Sequence, residues 1–288
     1  MARLQHILFP YDFSTQGQHT VPFVRALASR LGARVTLLSV VPPWFEHMAP
    51  SMVPELPANQ DLDALRRALQ ARTEQAFRDE LSGLSVFRIA EAGDPAIRIA
   101  DYAEDHDVDL IMMPTHGLGT FRSLLVGSVT SKVLHDSRRA VWTAAHAETQ
   151  TAQHLPRTIM CAAGGGEGTG ALLQFAADLS TRVGASLKVL QVVGPVSDWP
   201  GLESERRLQE QVREEASTAM AAAMAAAGVV APCRTVVGKI ADVTAEQARQ
   251  DQADLVVIGR GAVAEPFGRL RSHALGIIQR APCPVLSV

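Results

Sequence analysis

The chain repeats itself once. Ile7-Leu8-Phe9 is matched by Ile159-Met160-Cys161, and Gly32-Ala33-Arg34-Val35-Thr36-Leu37-Leu38 by Gly184-Ala185-Ser186-Leu187-Lys188-Val189-Leu190, both displaced by 152 positions. Further along the displacement shrinks: Asp109-Leu110-Ile111 matches Asp254-Leu255-Val256 after 145 positions, and Val141 matches Val285 after 144. Such a period is too long for a solenoid and has the size of a domain, so one unit has been duplicated, with a few residues lost from the middle loops of the second copy. The 288 residues suffice for two units, each with its own core. Domain limits at 1–146 and 155–288 follow, joined by the polar, aperiodic stretch from Ala145 to Pro156.

Within the first unit, apolar runs at Leu4–Phe9, Val35–Val41, Val86–Ala90, Leu110–Met113 and Ala140–Ala144 have the length of strands and little alternation. Runs of this kind suit a parallel sheet covered on both faces. Between them lie helical patterns: Val21, Val24, Leu27, Ala28 and Leu31 recur at three and four with Gly32 as a stop, and Asp94-Pro95 supplies an N-cap followed by proline in the first turn. Alternating strands and helices predict an α/β fold of two tandem Rossmann-like, doubly wound domains, each with a five-stranded, mainly parallel sheet. In such sheets right-handed crossovers place ligands at the carboxyl ends of the strands, where strand order reverses.

Composition narrows the partners. Net charge is −3, with 27 basic and 30 acidic residues interspersed, so no broad positive field exists to hold nucleic acid or an anionic membrane. The pair Arg138-Arg139 reads as solvated surface. Cys161, Cys233 and Cys283 stand far apart without a CxxC or Cys/His cluster, which argues against a disulfide framework or structural zinc. The N-terminal apolar run is too short for a secretory h-region, and the expected setting is the cytoplasm. The longest uncharged stretch, Ala216–Cys233, is alanine-rich and broken by Gly228 and Pro232, so it reads as a helix ending at Gly228 rather than a membrane span.

The chemistry concentrates in one loop. Leu110-Ile111-Met112-Met113 runs into Thr115-His116-Gly117, and Gly127-Ser128 follows after nine residues. Strand, glycine loop and helix start together form a phosphate cradle, because the free amides and dipole of a helix N-terminus favour an anion. His116 and Arg122 lie on this loop and can neutralise phosphate oxygens; each is equally at home as an exposed loop residue. Thr130 and Ser131 extend the polar helix start. After the first strand, Asp12 can accept bonds from ligand N–H or O–H groups, or instead close an Asx-turn. In the second copy the loop is degraded: Gly259-Arg260-Gly261 leads to Arg271-Ser272, and Gly164 stands where Asp12 does. Gly166-Glu167-Gly168-Thr169-Gly170-Ala171 fits a dinucleotide glycine pattern, but Leu190-Gln191-Val192-Val193 offers no ribose-binding acid, so a flexible turn is the better reading. The Pro- and Met-rich stretch Pro42–Pro57 is either a flap or surface variation. No P-loop, nucleophile elbow or HExxH pair is present, and no catalytic residue or metal ligand is assigned.

In this order, and twice, these segments resemble the universal stress protein family in its tandem form, whose domains are of the adenine nucleotide alpha hydrolase-like type. The carriers are Ile7–Ser14, Gly93-Asp94-Pro95, Asp109–Gly117, and Gly127-Ser128-Val129 with Lys132-Val133-Leu134; the second half closes on Ala281–Leu286. The resemblance implies ATP, with magnesium, or AMP or another adenine nucleotide, held in domain 1 by Asp12, by Val41 against the adenine, and by Thr115, His116, Gly117, Arg122, Gly127, Ser128, Val129 and Thr130. The family loop reads G-x-x-G-x9-G-[ST]; here Pro114 replaces its first glycine, removing an N–H and fixing φ where a ligand would approach. The implied role is a stress-response protein regulated by nucleotide, with domain 2 architectural. A nucleotide-free interaction scaffold and a slow ATPase or autophosphorylating protein are the alternatives. The family also implies pairing of Ala140–Ala144 with Pro284–Val288 in an intrachain pseudo-dimer, and homodimerisation is left open.

Overall fold

The computed structural model describes residues 4–43, 62–115, 126–144, 155–195, 203–260 and 269–288. The chain divides into two compact units, residues 3–154 and 155–288.

The first unit holds β1 (His6–Pro10), α1 (Thr15–Leu31), β2 (Arg34–Val41), α2 (Leu62–Gln75), β3 (Val86–Ala92), α3 (Pro95–Asp105), β4 (Leu110–Pro114), α4 (Ser128–Asp136) and β5 (Ala140–Ala144). All its strand pairs are parallel, in the order β3-β2-β1-β4-β5, so the order reverses between β1 and β4. Ile7, Leu8 and Phe9 are fully buried in succession, which is why the first strand shows no alternation. Helix α1 starts on Ser14, whose Oγ accepts the Gly17 amide at 3.1 Å, and stops at Gly32 in the left-handed region, φ 65°, with its amide on the Ala28 carbonyl.

Two devices tie the sheet together. Asp109, just before β4, accepts the amides of Gln5 at 2.8 Å and His6 at 2.9 Å, fixing where the first strand begins. At the outer edge, Gln70 of α2 donates to the Arg88 carbonyl at 3.0 Å and accepts the Ala90 amide at 2.7 Å. One side chain thereby makes the two bonds that a further strand would make along β3.

The second unit repeats this plan with β6 (Thr158–Ala162), α5 (Thr169–Val183), β7 (Ser186–Val193), α6 (Glu203–Ala226), β8 (Cys233–Val237), α7 (Ile240–Gln250), β9 (Leu255–Ile258), α8 (Arg269–Arg280) and β10 (Val285–Ser287). Its parallel strands run β10-β9-β6-β7-β8. Backbone bonds fix the correspondence between units. The Tyr11 amide donates to Leu38 at 2.8 Å as that of Ala163 does to Leu190 at 2.9 Å, and the Gly93 amide donates to Val41 as that of Gly238 does to Val193, both at 2.9 Å. Asp254 accepts the amides of Arg157 and Thr158, as Asp109 does those of Gln5 and His6.

The alanine-rich segment forms the end of α6, followed by Gly228 at φ 66°. Among the described residues no helix is long and apolar enough to cross a membrane. The three cysteines are free. Burial pushes the thiols of Cys161 and Cys283 up to about 12, leaving both inert as nucleophiles.

Candidate functional site

Strand order reverses between β1 and β4, so the crevice of the first unit opens between the loop after Pro10 and the loop after Pro114. The first of these is tightly built. Tyr11 is buried, its ring centroid 5.9 Å from Phe9, 4.6 Å from Phe13 and 4.7 Å from Phe77, and the Arg72 guanidinium lies 4.2 Å from the Phe13 centroid. Burial, the main cause, raises the Tyr11 pKa above its usual value. Phe13 itself adopts φ 63°, a left-handed conformation unusual for an aromatic residue. This turn leaves Asp12 exposed, with Oδ1 accepting the Ser14 amide at 3.0 Å. Both roles read for Asp12 are therefore compatible: the Asx-turn orients a carboxylate whose two oxygens together offer about four acceptor sites.

Across the crevice, the Gly127 amide donates to the Thr115 carbonyl at 2.8 Å and pinches the loop between them at its neck. Gly127 is the N-cap of α4, with φ −59° and ψ 152°, and among the described residues no side-chain cap bond closes the helix start. Ser128 is thus the first helical residue and exposed, not the cap that would consume the helix end. The Ser131 amide donates to the Gly127 carbonyl at 2.8 Å, so the intrahelical ladder starts there and the amides of Ser128, Val129 and Thr130 precede it. A helix start left in this state is suited to an anion.

Thr130 has another task. Its buried hydroxyl donates to the Pro114 carbonyl at 3.0 Å, bracing α4 against the end of β4, so its side chain belongs to the frame of the loop. Val41 is likewise committed: its side chain is 3% exposed and packs with Leu65 and Leu69 of α2, while its carbonyl accepts the Gly93 amide. His116, Gly117 and Arg122, and the Pro42–Pro57 stretch from position 44 onward, lie outside the described residues. A wide, shallow depression of about 590 Å³ between Glu74, Arg78, Gly83, Val86 and Arg88 sits at the amino end of β3, away from the crevice.

In the second unit the corresponding loop, Gly164 to Gly168, is exposed and carries no acid before Glu167. Gly165 takes φ 82° at the position of Phe13, so the turn survives while the carboxylate of Asp12 is replaced by Gly164. Arg271 falls in the first turn of α8, and its side chain lies outside the described residues.

One contact beside the crevice carries no ligand role in the sequence reading. Lys132 Nζ of α4 stands 3.0 Å from Oδ2 of Asp94, the N-cap of α3, whose Oδ1 accepts the amides of Ala96 and Ile97 at 2.9 and 3.3 Å. The lysine bond above all, with the two amides, holds the Asp94 carboxyl below its ordinary value. Its trace in the sequence is a pair of opposite charges that the second copy lacks, with Lys239 and Gly276 at those positions.

The Universal stress protein family profile matches residues 3–144 and again 156–288. The chain is 29% identical over 147 residues to the universal stress protein MJ0577 of Methanocaldococcus jannaschii, covering 47% of this chain and 91% of that protein. It is 31% identical over 134 residues to a universal stress protein of Thermus aquaticus, covering 46% and 91% respectively. The crystal structure of a universal stress protein from Archaeoglobus fulgidus spans all of this chain and 97% of its own at a TM-score of 0.68 and 20% identity, a likeness of fold. With both halves matched in turn, the chain belongs to the universal stress protein family as a tandem of two such domains.

Proposed function

We propose that this is a cytoplasmic stress-response protein whose first domain binds ATP or a related adenine nucleotide as a regulatory ligand, while the second serves architecture. The observation that carries this reading is the start of α4, uncapped among the described residues and with Gly127 at its N-cap, across the crevice from the exposed carboxylate of Asp12. The amides of Ser128 and Val129 and the helix dipole meet the phosphates, and Asp12 accepts from sugar or base hydroxyl and amino groups. Pro114 tempers the ribose end, since its ring stands where the family has glycine, but its carbonyl is engaged by Thr130 within the frame. Binding through positioned amides and a carboxylate needs no catalytic group, and magnesium, where present, would accompany the phosphates.

Thermal unfolding of the full chain with and without millimolar ATP tests the reading. The expected result is a rise in melting temperature that Asp12→Ala and Gly127→Arg abolish, the latter placing in domain 1 the residue that domain 2 carries at 271. No shift for the wild type at millimolar ATP, AMP or cyclic AMP would favour a nucleotide-free scaffold, to which Pro114 is the pointer.

A further inference from the structure

Asp94 gathers two helices onto one carboxylate. Oδ1 holds the first turn of α3, and Oδ2 reaches Lys132, which lies one helical turn after Ser128 on α4. The two side chains are 43% and 51% exposed, and exposed pairs of this kind add little to global stability. In the second unit the Gly238–Val193 bond places Lys239 at the position of Asp94, and Lys239 caps α7 without a side-chain bond. Gly276 takes the place of Lys132 and packs against α7, where a Cβ on it would stand 3.2 Å from that of Ala241. The same two helices are joined instead one turn further along α8, by Arg280 Nε and Asp242 Oδ1 at 3.0 Å. Close packing thus stands at the position of the Asp94–Lys132 contact, and the ion pair between the helices has moved away from the start of α8, in the same unit that has Gly164 for Asp12 and Arg271 for Gly127.

We infer that the Asp94–Lys132 pair is a positioning lock that sets the first turns of α4, and through them the amides aimed at the ligand phosphate. This rests on the nucleotide reading of the first domain. Lys132 is a positioning residue: its ammonium is directed at Asp94, and the phosphate is met by backbone amides. An isolated ion pair on the outside of a helix would have no such local consequence.

Amide hydrogen exchange on the nucleotide-free full chain tests the lock without any ligand. Lys132→Met and Asp94→Asn, the latter keeping an N-capping side chain, should each speed exchange of the amides from Ser131 to His135 by about fivefold, with an unchanged melting temperature. The double variant should do no more than either single one, and Lys132→Arg should restore wild-type exchange. A second arm measures ATP affinity by titration: both single variants should weaken it together, by about fivefold, if the lock holds the cradle. Unchanged exchange in Asp94→Asn overturns the lock. So does tighter ATP binding in Asp94→Asn with weaker binding in Lys132→Met, because that pattern makes Lys132 a direct phosphate ligand. Failure of the wild type to bind any nucleotide, with the exchange results as expected, leaves the lock standing and removes the nucleotide reading alone.

Discussion

A methylene added at Gly17 would collide with an aromatic ring: its Cβ would stand 2.8 Å from Cδ2 and Cε2 of Tyr11. The second unit has Ala163 for Tyr11 and a buried Thr169 for Gly17, so the two positions exchange volume between copies. Gly17→Ala should therefore destabilise by about 1–3 kcal/mol in urea unfolding, and Tyr11→Ala in the same chain should make that alanine nearly harmless. A second residue-scale case is His6, which is buried with Nε2 2.9 Å from Thr36 Oγ1 and Nδ1 3.1 Å from both the His106 carbonyl and an Arg34 nitrogen. Burial first, then the Arg34 guanidinium, lowers its pKa from 6.5. The unfolded imidazole takes up a proton as pH falls through that value while the folded one resists, so His6 contributes stability above pH 6.5 that is lost below it. Melting temperature should drop from about pH 7.5 to about pH 5.5 more steeply in the wild type than in His6→Gln. The positions of His6, Thr36 and His106 are held in the second unit by Thr158, Lys188 and Asp251, with the last two ion-paired at 2.8 Å. Asp12 is legible in the sequence as an acid after a strand, but Phe13 at φ 63° is not, because side-chain type favours other conformations and packing against Tyr11 and Arg72 decides the turn.

At the scale of elements, the aspartate that opens β4 and its counterpart before β9 perform one task twice. Each accepts two backbone amides at the start of the neighbouring strand, so Asp109→Ala and Asp254→Ala should each cost about 2–3 kcal/mol, read by denaturant unfolding. Gln70→Ala should expose the outer edge of β3, with concentration-dependent self-association in light scattering that the wild type lacks. Continuous apolar runs and glycine stops make the doubly wound order legible in the residues alone, because strands buried on both faces leave no polar positions to interrupt them. Helix α1 begins at Thr15, ahead of the periodic Val21–Leu31, because its first turn is polar and held by the Ser14 cap rather than by burial. Gln70 is hidden for a similar reason: nothing in an amphipathic helix distinguishes a glutamine that guards a strand from one that faces water.

For the molecule as a whole, the repeat is one frame kept twice with a site kept once. Backbone bonds and terminal aspartates recur in both units, while Asp12, Asp94, Gly127 and Lys132 are answered by Gly164, Lys239, Arg271 and Gly276. Alignment of the two copies exposes the loss at 164 and 271 directly. The losses at 239 and 276 gain meaning only from the contact that joins Asp94 to Lys132, since residues 38 positions apart share no local pattern. Calorimetric titration of the full chain with ATP tests this asymmetry most directly. One site per chain is predicted, abolished by Gly127→Arg and untouched by Lys239→Ala; two sites per chain, or no heat at millimolar ATP, would contradict the account.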